Sequence, residues 1–144
     1  MQHAAEEITV LVVDDDDIDA MAVERALKKE GLPKAYVRAR DGIEALDFLR
    51  GENGQCRVSK PLLVLLDINM PRMNGHEFLD EISSDPDLAD TVVFVLTTSN
   101  DQADRQAVYS KRAAGYIVKS DLGKSYDELA IMLRNYWRIV SLPH

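Results

Sequence analysis

Five short apolar runs punctuate the chain: Ile8 to Val13, Ala35 to Ala39, Leu62 to Leu66, Val92 to Leu96 and Tyr116 to Val118. The third, LLVLL, is apolar at every position rather than alternating, which predicts a strand covered on both faces. The segments between the runs carry helical periodicity. Ile18, Ala22 and Ala26, with Val23 and Leu27 beside them, recur at helical spacing, and Gly31 with Pro33 supplies the stop. Ile43, Leu46 and Leu49 repeat the pattern before Gly51, and Phe78, Leu79 and Ile82 do so after Gly75. Ala103, Ala107 and Val108 mark a fourth helix; Leu122, Tyr126, Leu129, Leu133 and Trp137 mark a fifth. A strand followed by a helix, five times over, predicts an α/β fold: one doubly wound (βα)5 domain with a parallel sheet, helices on both faces and right-handed crossovers. Gly51 to Lys60 is the one long loop, and no linker or internal repeat divides the chain. A single domain over 1–144 is expected, with its core at about 8–140 and no appended output domain.

Composition narrows the function classes without choosing among them. The 144 residues are 46% hydrophobic and 29% charged, too apolar for a disordered acidic chain. The 25 Asp and Glu outnumber the 17 Lys and Arg, giving a net charge of -8, which argues against nucleic acid and against anionic membrane surfaces. Cys56 is the single cysteine, so neither an internal disulfide nor a cysteine-based zinc site is available. The opening MQHAAEEITV lacks the basic start and long apolar run of a signal peptide, and no stretch reaches the roughly 18 apolar residues of a membrane span. A cytoplasmic setting is expected.

In a doubly wound sheet the chemistry sits at the carboxyl ends of the strands. After the first run comes Asp14-Asp15-Asp16-Asp17; after the third, Asp67-Ile68-Asn69-Met70-Pro71; after the fourth, Thr97-Thr98-Ser99-Asn100; after the fifth, Lys119-Ser120-Asp121. If the first and third strands are neighbours, about 4.8 Å apart, their terminal acids can share one cation. Magnesium suits such a set, since it takes oxygen ligands and keeps several waters. Asp17 and Asp19 are read as a solvated helix start, where acids are favoured. Asp14 and Asp15 follow LVV directly and fit that reading less well. Asp67 ends the most buried strand, and a carboxylate beside Mg²⁺ can attack phosphorus to give an aspartyl phosphate. Thr97 offers a hydroxyl and Lys119 a point charge for the transferred oxygens. Each would be ordinary alone; their joint appearance at successive strand ends is the signal.

Those segments, LVVDDDD, LLDINMPRMNG, VLTTS and GYIVKS, resemble the receiver domain of two-component response regulators. The likeness runs from Ile8 to about Val140 and agrees in order and spacing as well as identity. It implies the flavodoxin-like strand order 2-1-3-4-5. It further implies that Asp67 is the phosphoacceptor for a sensor histidine kinase, with Mg²⁺, or Mn²⁺ in its place, bound directly by Asp15, Asp67 and the Asn69 backbone carbonyl, and by Asp14 through a water. Thr97 matches the switch hydroxyl, Tyr116 the aromatic that turns in behind it, and Lys119 the lysine that pairs with the phosphoryl group. Asn69 and Ser99 stand where family members tune the lifetime of the acyl phosphate.

Two features depart from the common pattern. Ser120 replaces the usual proline after the lysine, so a trans peptide and a freer loop are expected, and the loop from Gly51 to Lys60 is longer than in minimal receivers. That loop, the closing NYWRIVSLP and the expected lack of an output domain resemble the small regulators paired with bacterial phytochrome kinases, either as terminal outputs or as relay intermediates. The last helix, with Leu122, Tyr126, Leu129, Ile131, Met132, Leu133, Tyr136, Trp137, Ile139 and Val140, carries more apolar residues than one core-facing stripe uses. This predicts a twofold homodimer through the fourth and fifth helices or strands, unless Tyr136, Trp137 and Leu142 fold back over their own domain.

The resemblance implies a signalling protein rather than an enzyme, one that takes part in its own phosphoryl transfer and in slow autodephosphorylation. A phosphatase with an aspartyl nucleophile competes, suggested by Asp67-x-Asn69. Phosphatases of the haloacid dehalogenase type place the nucleophile after the first strand and a second Asp two residues on, and here position 69 is Asn. A phosphorylation-independent interaction module leaves the acid, Thr and Lys set unexplained. No glycine-rich nucleotide motif occurs. His3, His76 and His144 are scattered, with His76 expected as an exposed helix-start residue; Cys56 is an incidental loop thiol, and Met70 and Pro71 shape the loop after Asp67.

Overall fold

The computed structural model describes residues 8–32, 35–70, 72–122 and 125–140. Five strands, β1 (Thr9–Val13), β2 (Ala35–Ala39), β3 (Leu62–Leu66), β4 (Val92–Thr97) and β5 (Gly115–Val118), alternate with five helices, α1 (Asp17–Lys29), α2 (Gly42–Arg50), α3 (Gly75–Ser84), α4 (Gln102–Ser110) and α5 (Asp127–Ile139). All strand pairs are parallel and the order is β2-β1-β3-β4-β5, as the resemblance implied.

Alternation along the strands builds two cores. Val13, Val64, Leu66 and Val95 face α2 and α3, packing on Leu46, Leu49, Phe78 and Ile82. Val10, Val12, Leu63, Leu65 and Phe94 face α1 and α5, packing on Val23, Leu27, Leu129, Leu133 and Trp137. Every residue of LLVLL is therefore buried, odd and even positions against different helices.

The strands start and end within a residue of the apolar runs. Ile8 precedes β1, β4 runs on to include Thr97, and β5 begins at Gly115. The α5 faces differ more from expectation. Trp137 is fully buried, and Tyr136 meets Phe94 edge-on with ring centroids 5.1 Å apart, so both fold onto their own domain. Leu142 lies outside the described residues. The exposed apolar residues of α5 are Ile131, Met132 and Ile139, at 41%, 36% and 79% exposure. Among the described residues no helix is long and apolar enough to cross a membrane.

Register places the site. Val13 of β1 stands opposite Leu66 of β3, and Thr97 of β4 opposite Val118 of β5. Asp14 and Asp67 are thus the next residues on adjacent strands, and Thr97 and Lys119 leave the same edge one and two strands away.

Candidate functional site

The first strand ends in a turn fixed by its own acids. Asp16 caps α1, its Oδ1 accepting from the Ile18 and Asp19 amides at 2.9 and 3.1 Å. The Asp16 amide donates to Asp14 Oδ1 at 2.9 Å, turning the Asp14 side chain inward. After β3, the Asn69 amide donates to Asp67 Oδ1 at 3.2 Å, and Gly75 lets α3 press against this loop, where a Cβ would meet Ile68 Cα at 2.5 Å. Asn74 caps α3 in a reciprocal capping box with Glu77.

These turns bring one carboxylate oxygen from each of Asp14, Asp15 and Asp67 to within 4.8 Å of one another. Asp14 is buried, Asp67 half-buried and Asp15 exposed, so the cluster opens to solvent on one side. Lys119 reaches in from the end of β5. Its Nζ lies 3.3 Å from Asp14 Oδ2, 4.0 Å from Asp67 Oδ2 and 2.8 Å from Asp19 Oδ2.

Electrostatics show a site short of positive charge. Burial pushes the Asp67 carboxyl up to about 6, further raised by Asp14 and Asp15 and countered by the Asn69 amide and Lys119. Burial also raises Asp14, against the Asp16 amide and Lys119. For Lys119 burial works against its charge, but Asp19, Asp14 and Asp67 together outweigh it and hold the ammonium above its ordinary range. Three acids at one mouth, with two of them resisting ionisation, fit a hard divalent cation with oxygen ligands.

Thr97 is fully buried at the end of β4, and its Oγ1 accepts from the Ser99 amide at 3.2 Å. Tyr116 on β5 lies half-buried, its hydroxyl donating to the Ser99 carbonyl at 2.8 Å, with the Arg105 guanidinium 5.4 Å from the ring centroid. Both residues therefore grip the same loop after β4. The Ser99 hydroxyl donates to Asp104 Oδ2 at 2.7 Å, and His76 Nε2 lies 2.9 Å from Asp104 Oδ1; these two contacts hold the Asp104 carboxyl below its usual range. His76 is half-buried and partnered, not the exposed helix-start residue expected of it.

Asp19 lies in the first turn of α1 as expected, but it is not merely a solvated helix-start acid. It bonds Lys119, and its Oδ1 accepts from the Tyr126 hydroxyl at 3.2 Å. The signal was present in the sequence: Asp19 lies one helical turn beyond Asp15, and helical side chains lean toward the N-terminus, here toward the strand ends. Arg38 was missed outright. From edge strand β2 its Nε and Nη2 donate to the Asp14 carbonyl at 3.0 and 2.7 Å, and its Nη1 to Asp17 at 2.6 Å. Only a charge inside the run AYVRA hinted at it. The Lys119–Ser120 peptide is trans, and Lys119–Leu122 winds into a 3-10 turn rather than a free loop. Cys56 is exposed in the loop after α2, where Val58 ties back to the Phe48 carbonyl at 3.0 Å.

Comparison with known proteins places this arrangement. Residues 10–127 match the model of the response regulator receiver domain. The chain is 33% identical over 135 residues to response regulator Rcp1 of Synechocystis sp., covering 93% of this chain and 92% of that protein. It is 35% identical over 139 residues to the probable methanogenesis regulatory protein FilR2 of Methanothrix harundinacea, covering 94% and 86%. Among solved structures, the phosphorylated cyanobacterial phytochrome response regulator RcpA superposes with a TM-score of 0.82 at 33% identity, over 94% of this chain and 98% of that one. The Mn²⁺-bound form of Rcp1 does so with 0.79 at 32%, over 94% and 99%. The chain belongs to the response regulator receiver domain family of two-component signalling proteins.

Proposed function

We propose that this chain accepts a phosphoryl group from a phosphohistidine of a sensor histidine kinase onto Asp67. The observation that carries this reading is the meeting of Asp14, Asp15 and Asp67 within 4.8 Å, with Lys119 Nζ reaching Asp14 and Asp67 from β5. Asp67 Oδ attacks phosphorus, an O–P bond forms, the donor's N–P bond breaks, and the donor histidine, already protonated on its other ring nitrogen, leaves as neutral imidazole. Asp15, Asp67 and the Asn69 carbonyl would hold Mg²⁺ or Mn²⁺ directly, with Asp14 acting through a water. Bound there, the cation supplies positive charge against the equatorial phosphoryl oxygens. Lys119 orients the group and Thr97 meets one of its oxygens. The phosphoryl group carries roughly -1.5 to -2 where the carboxylate carried -1, and this larger, displaced charge biases the loop after β4, which Thr97 and Tyr116 both hold through Ser99.

The kinase is of the bacterial phytochrome type, a reading supported by the likeness to Rcp1 and to the phytochrome response regulator RcpA. The chain acts as a one-domain regulator that switches partner binding, in the cytoplasm, and pairs with a second copy through the α4, β5 and α5 face. Ile131, Met132 and Ile139 on α5 and Tyr109 on α4 supply exposed apolar surface for that pairing.

Phosphoimidazole, which carries the same N–P bond as phosphohistidine, tests the chemistry. With Mg²⁺ present, about one equivalent of imidazole per chain is expected at first, followed by slow release, together with an acyl phosphate signal in ³¹P spectra. Rapid release of many equivalents of inorganic phosphate would instead make the protein a phosphatase and overturn the reading.

A further inference from the structure

The shortest contact of Lys119 is with Asp19, at 2.8 Å, against 3.3 Å to Asp14 and 4.0 Å to Asp67. Lys119 is thus parked beside the acid cluster on a carboxylate that does not belong to it. The same carboxylate spends its other oxygen on the Tyr126 hydroxyl at 3.2 Å. Tyr126 stands directly before α5, at the N-cap position, with no capping bond from its own side chain. Asp127, the next residue, pairs with Lys29 of α1 at 3.3 Å. Asp19 therefore brackets the turn that follows β5 and the start of α5 to one point on α1.

We infer that Asp19 is a positioning residue that holds Lys119 back in the unphosphorylated chain and, through Tyr126, reports its release to the first turn of α5. The inference rests on the phosphoacceptor reading of Asp67. A phosphoryl group on Asp67 puts roughly -1.5 to -2 charges, in place of the carboxylate's -1, before an ammonium whose best partner is one partly exposed carboxylate. Movement of Lys119 toward that group lengthens its Asp19 pair. Asp19 is then freed from the β5 side, the Lys119–Leu122 turn loses its tether, and the Tyr126 contact no longer ties that turn to α5. This route leads to α1 and α5 and is separate from the Thr97, Ser99 and Tyr116 contacts on the other side of the sheet edge.

The test is amide hydrogen exchange on the full chain with Mg²⁺, with and without acetyl phosphate, while intact mass tracks the adduct. In the wild type, phosphorylation should speed exchange in the Lys119–Leu122 turn and the first turn of α5 by roughly 3- to 10-fold, the scale of one ordinary hydrogen bond lost at a partly exposed site. Asp19→Asn should show that faster exchange before phosphorylation, gain nothing further after it, and still form the adduct; Asp19→Glu should restore the wild-type response. Tyr126→Phe should keep the response in the turn and lose it in α5. Wild-type exchange in unphosphorylated Asp19→Asn, or an increase that simply adds to that of phosphorylation, would overturn the inference. Absence of an adduct on the wild type would instead sink the Asp67 reading. The unphosphorylated comparison of Asp19→Asn with wild type would then still decide whether Asp19 tethers the turn.

Discussion

Asp67 is held away from its ordinary ionisation by its place at the end of a strand buried at every position, where desolvation takes its carboxyl from 3.8 up to about 6. A raised carboxyl means that the folded chain keeps a proton the unfolded chain has released, so this residue favours the fold most at acid pH and the contribution is lost as pH rises through about 6. Asp17 and Asp104, whose carboxyls are lowered by Arg38 and by Ser99 respectively, work in the opposite sense, so the prediction concerns a difference between two proteins. In the absence of divalent cations, thermal melts of Asp67→Asn minus wild type should be near zero at pH 4 and rise to several degrees at pH 7.5. Added Mg²⁺ should raise the wild-type midpoint and move the variant little. A difference independent of pH would contradict the burial of this charge. Asp14, Asp15, Asp67, Thr97 and Lys119 were legible in the sequence because each lies within two residues of the end of an apolar run. Asp19 was legible only through helix phase, one turn beyond Asp15, and Arg38 hardly at all, because which strand lies at the sheet edge is not written beside it.

The loop after β3 owes its shape to the element that follows it. The capping box of Asn74 and Glu77 satisfies the first amides of α3, and Gly75 packs that helix start on Ile68, one residue beyond Asp67. Asn74→Ala should cost about 1 kcal/mol in urea denaturation and should also weaken Mg²⁺ binding measured by calorimetry, because the loop that presents Asp67 and Asn69 loses its anchor. Loss of stability with unchanged Mg²⁺ affinity would separate the cap from the site. Strands and helices were readable from periodicity because both cores are built on it; the division of α5 between core and surface was not, because its periodicity serves two surfaces. Leu129, Leu133 and Trp137 follow one another at helical spacing on the buried face, and Tyr136 is drawn in by Phe94, which leaves a smaller exposed stripe than a count of apolar residues suggests.

For the molecule as a whole, the parallel sheet explains why four stretches far apart in sequence meet at one edge: β1 and β3 deliver the acids, β4 the hydroxyl and β5 the lysine. The net charge of -8 describes the solvated surface, whereas three of the acids are gathered at one mouth. The remaining apolar stripe predicts association. Light scattering at high protein concentration should report a dimer, and Ile131→Glu with Ile139→Glu should return it to a monomer without lowering the melting midpoint; a wild-type monomer with and without acetyl phosphate would contradict the pairing. The central claim is the chemistry of Asp67, and intact mass after incubation with Mg²⁺ and acetyl phosphate tests it most directly. One base-labile phosphoryl adduct is expected on the wild type, lost in Asp67→Asn and when the cation is chelated. No adduct on the wild type, or an adduct that survives Asp67→Asn, would contradict the account.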